Sequence, residues 1–115
     1  MVYIKNISVI SQSAMECEVT LYDGTYEAVC FSQPFDGSTD IETIHVFGCT
    51  GAVTVVNEAP SVERIANGFE HTVTGTVLEN GNIGVGGLRF DGVLLPGNVS
   101  VGDCVRFTAL RLDLW

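Results

Sequence analysis

His45 and His71 are the only imidazoles in the chain, and imidazole is the side chain whose ordinary pKa suits base chemistry near neutral pH. A nucleophile needs such a base within hydrogen-bond reach and a third group to orient it. His45 shares a strand-like face with Phe47, and His71 follows Phe69-Glu70. A pair such as Cys30 with His45 is conceivable across strands, but no spacing requires it, so no catalytic residue is expected. The carboxylates, Asp36, Asp40 and Glu42 on a loop and Glu16 and Glu18 two apart, read as a solvated face, and the D-x-D-x-D-G calcium spacing is missing. Cys17, Cys30, Cys49 and Cys104 form no C-x-x-C pair, so neither a zinc ribbon nor a redox dithiol is signalled. These thiols read as reduced, small apolar residues. Gly84-Val85-Gly86-Gly87 runs into the strand-like Leu88-Arg89-Phe90, whereas a phosphate cradle must open a helix. The expectation is therefore no metal, no cofactor and a non-enzymatic chain.

The elements that must position these residues are short and alternating. In Ala14–Tyr22, Met15, Cys17, Val19 and Leu21 fall on one face and Glu16, Glu18, Thr20 and Tyr22 on the other, the period of a half-buried strand. Asp23-Gly24, Asn80-Gly81 and Asp91-Gly92 each interrupt such a run with a pair that tolerates positive φ, which predicts three tight hairpins. Further strands are expected at 2–10, 42–47, 52–57, 71–78 and 103–112, all rich in Val, Ile, Thr, Phe and Tyr. Only 60–67, with Val62, Ile65 and Ala66 at helical spacing before Gly68, predicts a helix, about two turns long. The expected class is all-β: a small antiparallel, closed or partly open Greek-key barrel across residues 1–115 with one short helix near 60–67. Closure is favoured because it removes sheet edges.

With 115 residues, 46% hydrophobic, the chain can enclose one real core and is not a disordered segment. A net charge of −9 repels phosphate backbones and anionic lipid. No secretory signal and no run of membrane-spanning length is evident, so a cytoplasmic location away from membranes is expected.

From Thr72 to Trp115 the chain has a further cadence: Gly75-Thr76-Val77, then Ile83 to Val85, then Gly102-Asp103-Cys104-Val105. It resembles the OB-fold barrels, including their RNA-binding and cold-shock branches, in which a G-x-V strand, a hairpin, a third strand and a late G-D-x-V strand recur. The resemblance implies a groove for single-stranded nucleic acid, with Arg89 and Arg106 on the backbone and Phe90 or a tyrosine stacking on bases. The matching second strand, Asn82-Ile83-Gly84-Val85-Gly86, carries no aromatic residue, which departs from that pattern.

The residues therefore favour a binding module that meets a protein partner or a second copy of itself. Tyr22, Tyr26 and Phe35 are the candidate aromatic anchors, with Trp115 at the end of the alternating Leu110-Arg111-Leu112-Asp113-Leu114-Trp115. Tyr22 and Tyr26 are alternatively expected to cover each other across their hairpin. Arg106 is expected to point outward, opposite in parity to Val105, Phe107 and Ala109, with Arg111 inward or on a frayed end. Nucleic-acid binding is the second reading, and a small hydrolase or lyase built on His45 or His71 the third.

Overall fold

The computed structural model describes residues 2–34 and 41–114. Ten strands follow in order: β1 (Tyr3–Ser11), β2 (Glu16–Tyr22), β3 (Glu27–Ser32), β4 (Ile44–Cys49), β5 (Thr54–Val55), β6 (Ser61–Arg64), β7 (His71–Val77), β8 (Ile83–Val85), β9 (Leu88–Asp91) and β10 (Cys104–Leu114). Five of them close a barrel: β7, β8, β9, β4 and β10 pair in turn, and β10 returns to β7. The β1–β2–β3 meander joins this ring through a short parallel contact of β3 with the end of β10, while β6 extends β7 and β5 lies on β10.

The fold is all-β, but not purely antiparallel. β4 pairs β9 in parallel, Ile44 opposite Phe90 and His45 opposite Asp91. That pairing explains the fate of Asp91-Gly92, which makes no hairpin. β9 has β8 on one edge and β4 on the other, so no free edge remains for a returning strand. The chain leaves instead through Gly92 at φ 81°, against the β4 backbone. The Asp23-Gly24 and Asn80-Gly81 turns do join antiparallel neighbours.

The expected helix at 60–67 is a strand. Ser61–Arg64 pairs with His71–Thr74, and Val62 lies opposite Val73. The turn that follows holds Ala66 at φ 55°, a conformation no α-helix contains. Two helical turns have little intrinsic stability, whereas the β7 edge offers backbone partners to the same residues.

The core is one cluster that runs from β2 and β3 (Val19, Leu21, Ala28, Cys30) into the barrel. Inside the barrel, Phe90 and Phe107 meet edge to face at 6.3 Å. β10 keeps Val105, Phe107 and Ala109 inside, then slips phase at exposed Leu110 so that Leu112 and Leu114 become the buried positions. The slip coincides with a change of partners, from β7 along 104–109 to β4 and β3 beyond it. It also turns Arg111 outward, contrary to simple parity. The guanidinium lies between the Phe31 and Phe47 rings, 4.6 and 4.5 Å from their centroids, and donates to both oxygens of Asp113.

Asp23 ties the tip of the meander to the barrel. One carboxylate oxygen accepts from the Thr25 and Tyr26 amides at 2.9 and 2.7 Å, and the other accepts from the Gly87 amide at 2.6 Å in the β8–β9 turn. A Cβ on Gly86 would lie 2.3 Å from that second oxygen, so the turn must be glycine. Partial burial works to raise the Asp23 pKa, but the backbone donors outweigh it and hold the group below its ordinary 3.8. Its stabilising contribution is therefore complete above that value and lost as pH falls through the folded-state pKa. Asp23→Ala is expected to cost about 1–2 kcal/mol at pH 7 in urea unfolding and progressively less as pH falls below 3.8, because the bonds are charge-assisted but partly exposed. A penalty that does not decline across the acid range would show that the carboxylate is not the group involved.

Candidate functional site

The acidic surface has a gap at one end of the barrel. The two longest stretches without Asp, Glu, Lys or Arg are residues 43–57 and 92–102, and the fold brings them together at one end of the barrel. Parallel pairing of β4 with β9 sets Gly92 beside Val46, where a Cβ would lie 3.1 Å from the Val46 carbonyl oxygen. Beyond it, Val93 and Leu95 pack on the core. An extended chain alternates its side chains, so Leu94 between them is thrown outward and is 91% exposed. The neighbouring wall comes from the end of β4 and the turn into β5, with Gly48 at φ 72° and Gly51 at φ 79°, and the Thr50 amide donates to the Thr108 carbonyl at 2.9 Å.

Between these walls runs a groove of about 580 Å³ whose lining includes Cys49, Ala52, Val53, Leu94, Leu95 and Pro96 and no charged residue. Exposed Leu110 flanks it, since a Cβ on Gly48 would touch the Leu110 side chain at 2.9 Å. Partial burial pushes the Cys49 thiol pKa up, which keeps the groove uncharged. What the site offers is apolar surface to take out of water.

The residues singled out from the sequence do not converge on this groove. Tyr22 packs edge to face on Tyr3 at 5.5 Å, under the Lys5 ammonium, and its hydroxyl donates to the Gly24 carbonyl; Tyr3 takes the place assigned to Tyr26. Tyr26 packs against the core. Phe35 and Trp115 lie outside the described residues. Phe90 is fully buried, leaving no ring face for a base. Arg89 donates to the carbonyls of Gly86 and Leu88, and Arg106 projects outward as expected, paired with Glu58. The remaining cations are also engaged: Lys5 with Glu27, Arg64 with Glu18 and Arg111 with Asp113.

The two histidines have different surroundings. His45 Nδ1 lies 2.7 Å from an Asp91 oxygen, in a cross-strand row that continues through Asp113 to Phe31. Cys30 is fully buried in the core and its thiol faces the Ala28 carbonyl, so it makes no pair with His45. His71 is buried, and each ring nitrogen meets a backbone group: Nδ1 lies 2.9 Å from the Phe69 carbonyl oxygen and Nε2 accepts from the Val29 amide at 3.1 Å. Among the described residues no three His, Cys, Asp or Glu side chains gather as metal ligands. All four cysteines are free thiols.

Comparison with known proteins returns nothing: no family model, no curated protein and no solved structure matches the chain. Of the groove residues only Cys49 carries a reactive group, and its spacing from the other thiols gave no motif; the rest are apolar side chains and glycines. The signal that finds them is the absence of charge over 43–57 and 92–102 in a chain that is otherwise rich in acids.

Proposed function

We propose that this chain is a non-enzymatic binding module that docks a protein partner through the uncharged end of its barrel. The observation that carries this reading is Leu94, a fully presented apolar side chain at the rim of an uncharged groove. An exposed apolar patch with no structural task of its own marks a contact site, and a partner that covers it gains the burial of Leu94 and Leu110 together. The OB-like description of the barrel rests on the ring itself: three consecutive antiparallel strands, β7 to β9, closed by one parallel pair. In this reading β4, from the first half of the chain, fills the position beside the third strand. Nucleic-acid binding is less well supported, because Phe90 is buried and Arg89 and Arg106 already hold partners.

Selection from a phage-displayed random peptide library is expected to return uncharged apolar peptides. Their affinity should fall about tenfold or more for Leu94→Asp and stay unchanged for Lys5→Ala on the distant β1. Peptides indifferent to Leu94→Asp would overturn the site. Binding of single-stranded oligonucleotides with steep salt dependence would instead favour the nucleic-acid reading.

A further inference from the structure

We propose that the partner at this groove is a second copy of the chain, packed about a two-fold axis so that Leu94 of each copy enters the groove of the other. This deepens the binding-module reading and rests on it. A two-fold contact brings one patch against itself, so the patch must carry both a projection and a recess that fits it. Here they are adjacent. Leu94 projects at the rim, and the facing wall is made of small residues, Gly48, Gly51 and Ala52, with open space where a Gly51 Cβ would stand.

Charge favours this face over the acidic ones. Two copies at −9 each repel, and that repulsion is weakest where the touching surfaces hold no acids. Residues 43–57 and 92–102 provide such a surface. A strongly charged partner would find no opposite charge in the groove to recognise.

The other surface that could pair two copies is the outer edge of β1, which has no strand partner among the described residues. It carries the features that blunt an edge. Its register with β2 shifts twice, between Ile4 and Asn6 and between Val9 and Ser11, and Lys5 stands in its first half, paired with Glu27.

Sedimentation of the full chain from micromolar to near-millimolar concentration tests the proposal. The expected result is a reversible monomer–dimer equilibrium that tightens or holds as salt is added, since screening removes repulsion and no interfacial ion pair is lost. Leu94→Asp, at a site too exposed to disturb folding, should weaken the dimer about tenfold or more, and Ala52→Arg, which fills the recess from the other side, should do the same. Lys5→Glu on β1 should leave it unchanged. A chain that stays monomeric throughout overturns the dimer, as does a dimer insensitive to both groove variants or broken by Lys5→Glu. The peptide selection scores the binding-module reading separately, so a monomer that still takes apolar peptides at Leu94 refutes only the second copy.

Discussion

Gly75→Ala is expected to lower the stability of the fold by about 2–3 kcal/mol, with a fall in Tm of roughly 10 °C or more. Gly75 sits in the middle of β7 with β8 on one edge and β10 on the other. A Cβ there would lie 2.7 Å from the Gly84 carbonyl oxygen, 2.7 Å from Val85 Cγ2 and 2.8 Å from Ile83 Cγ2. Ile83 and Val85 are both fully buried, so neither side chain can swing into solvent, and the carbonyl belongs to the neighbouring backbone. Relief requires β7 and β8 to separate, which strains the closed ring. The gain from a less flexible unfolded chain, at most about 1 kcal/mol, does not offset it. Gly97→Ala is the control, because its Cβ would meet nothing within 4 Å and its φ is not in the left-handed region. It should change stability by no more than about 0.5 kcal/mol. Equal effects of the two substitutions in urea unfolding would show that the barrel is not packed at β8 as described.

Gly75 also shows how far local pattern reaches. A glycine inside a strand signals a close approach of another backbone, and the strand itself was legible from Val, Thr and alternation. So were the Asp23-Gly24 and Asn80-Gly81 turns, whose geometry is local. What the sequence could not display is pairing between distant segments. The parallel contact of β4 with β9 joins residues more than forty apart, and it is this contact that cancels the Asp91-Gly92 hairpin and places the groove. The segment 60–67 failed for a related reason: Val62, Ile65 and Ala66 have helical spacing, but the vacant edge of β7 decides the outcome. In β10 the phase slip at Leu110 is imposed by a change of neighbours, so strict alternation sent Arg111 to the wrong side. At Leu88-Arg89-Phe90 the resemblance led the other way: Phe90, expected to stack on bases, is buried beside Leu88 and has no ring face to offer.

His71 makes the stability of the chain fall as pH is lowered through the range just below 7. β7 and β3 follow one another along the same edge of β10, β7 opposite residues 104–109 and β3 opposite 113–114. His71 stands at the end of the β7 ladder, opposite Ala109, where the amide of Val29 in β3 has no β10 partner. The imidazole fills that gap: Nε2 accepts the Val29 proton, and Nδ1–H donates to the Phe69 carbonyl. This arrangement requires the neutral ring. Burial is the main cause that lowers the His71 pKa from its ordinary 6.5; the nearby Arg64 guanidinium adds to it, and the bond to Phe69 only partly opposes it. Below 6.5 the unfolded chain therefore binds a proton that the folded chain does not. The contribution is complete above that value and is lost as pH falls through the folded-state pKa, with a slope from this group of at most about 1.4 kcal/mol per pH unit. In urea unfolding at pH 7.5, 6.5 and 5.5, His71→Gln should flatten the dependence, because an amide oxygen can accept the Val29 proton without titrating. His71→Ala should cost about 3 kcal/mol at pH 7.5, since it leaves two buried backbone groups unpaired beside a cavity. A wild-type slope that persists in His71→Gln would remove His71 as its source. Protonation at Nε2 displaces the one side-chain bond between β7 and β3, so acid should loosen the meander before it opens the barrel. Amide exchange of Val29 accelerating ahead of Val105 as pH is lowered, after correction for intrinsic rates, is the expected signature.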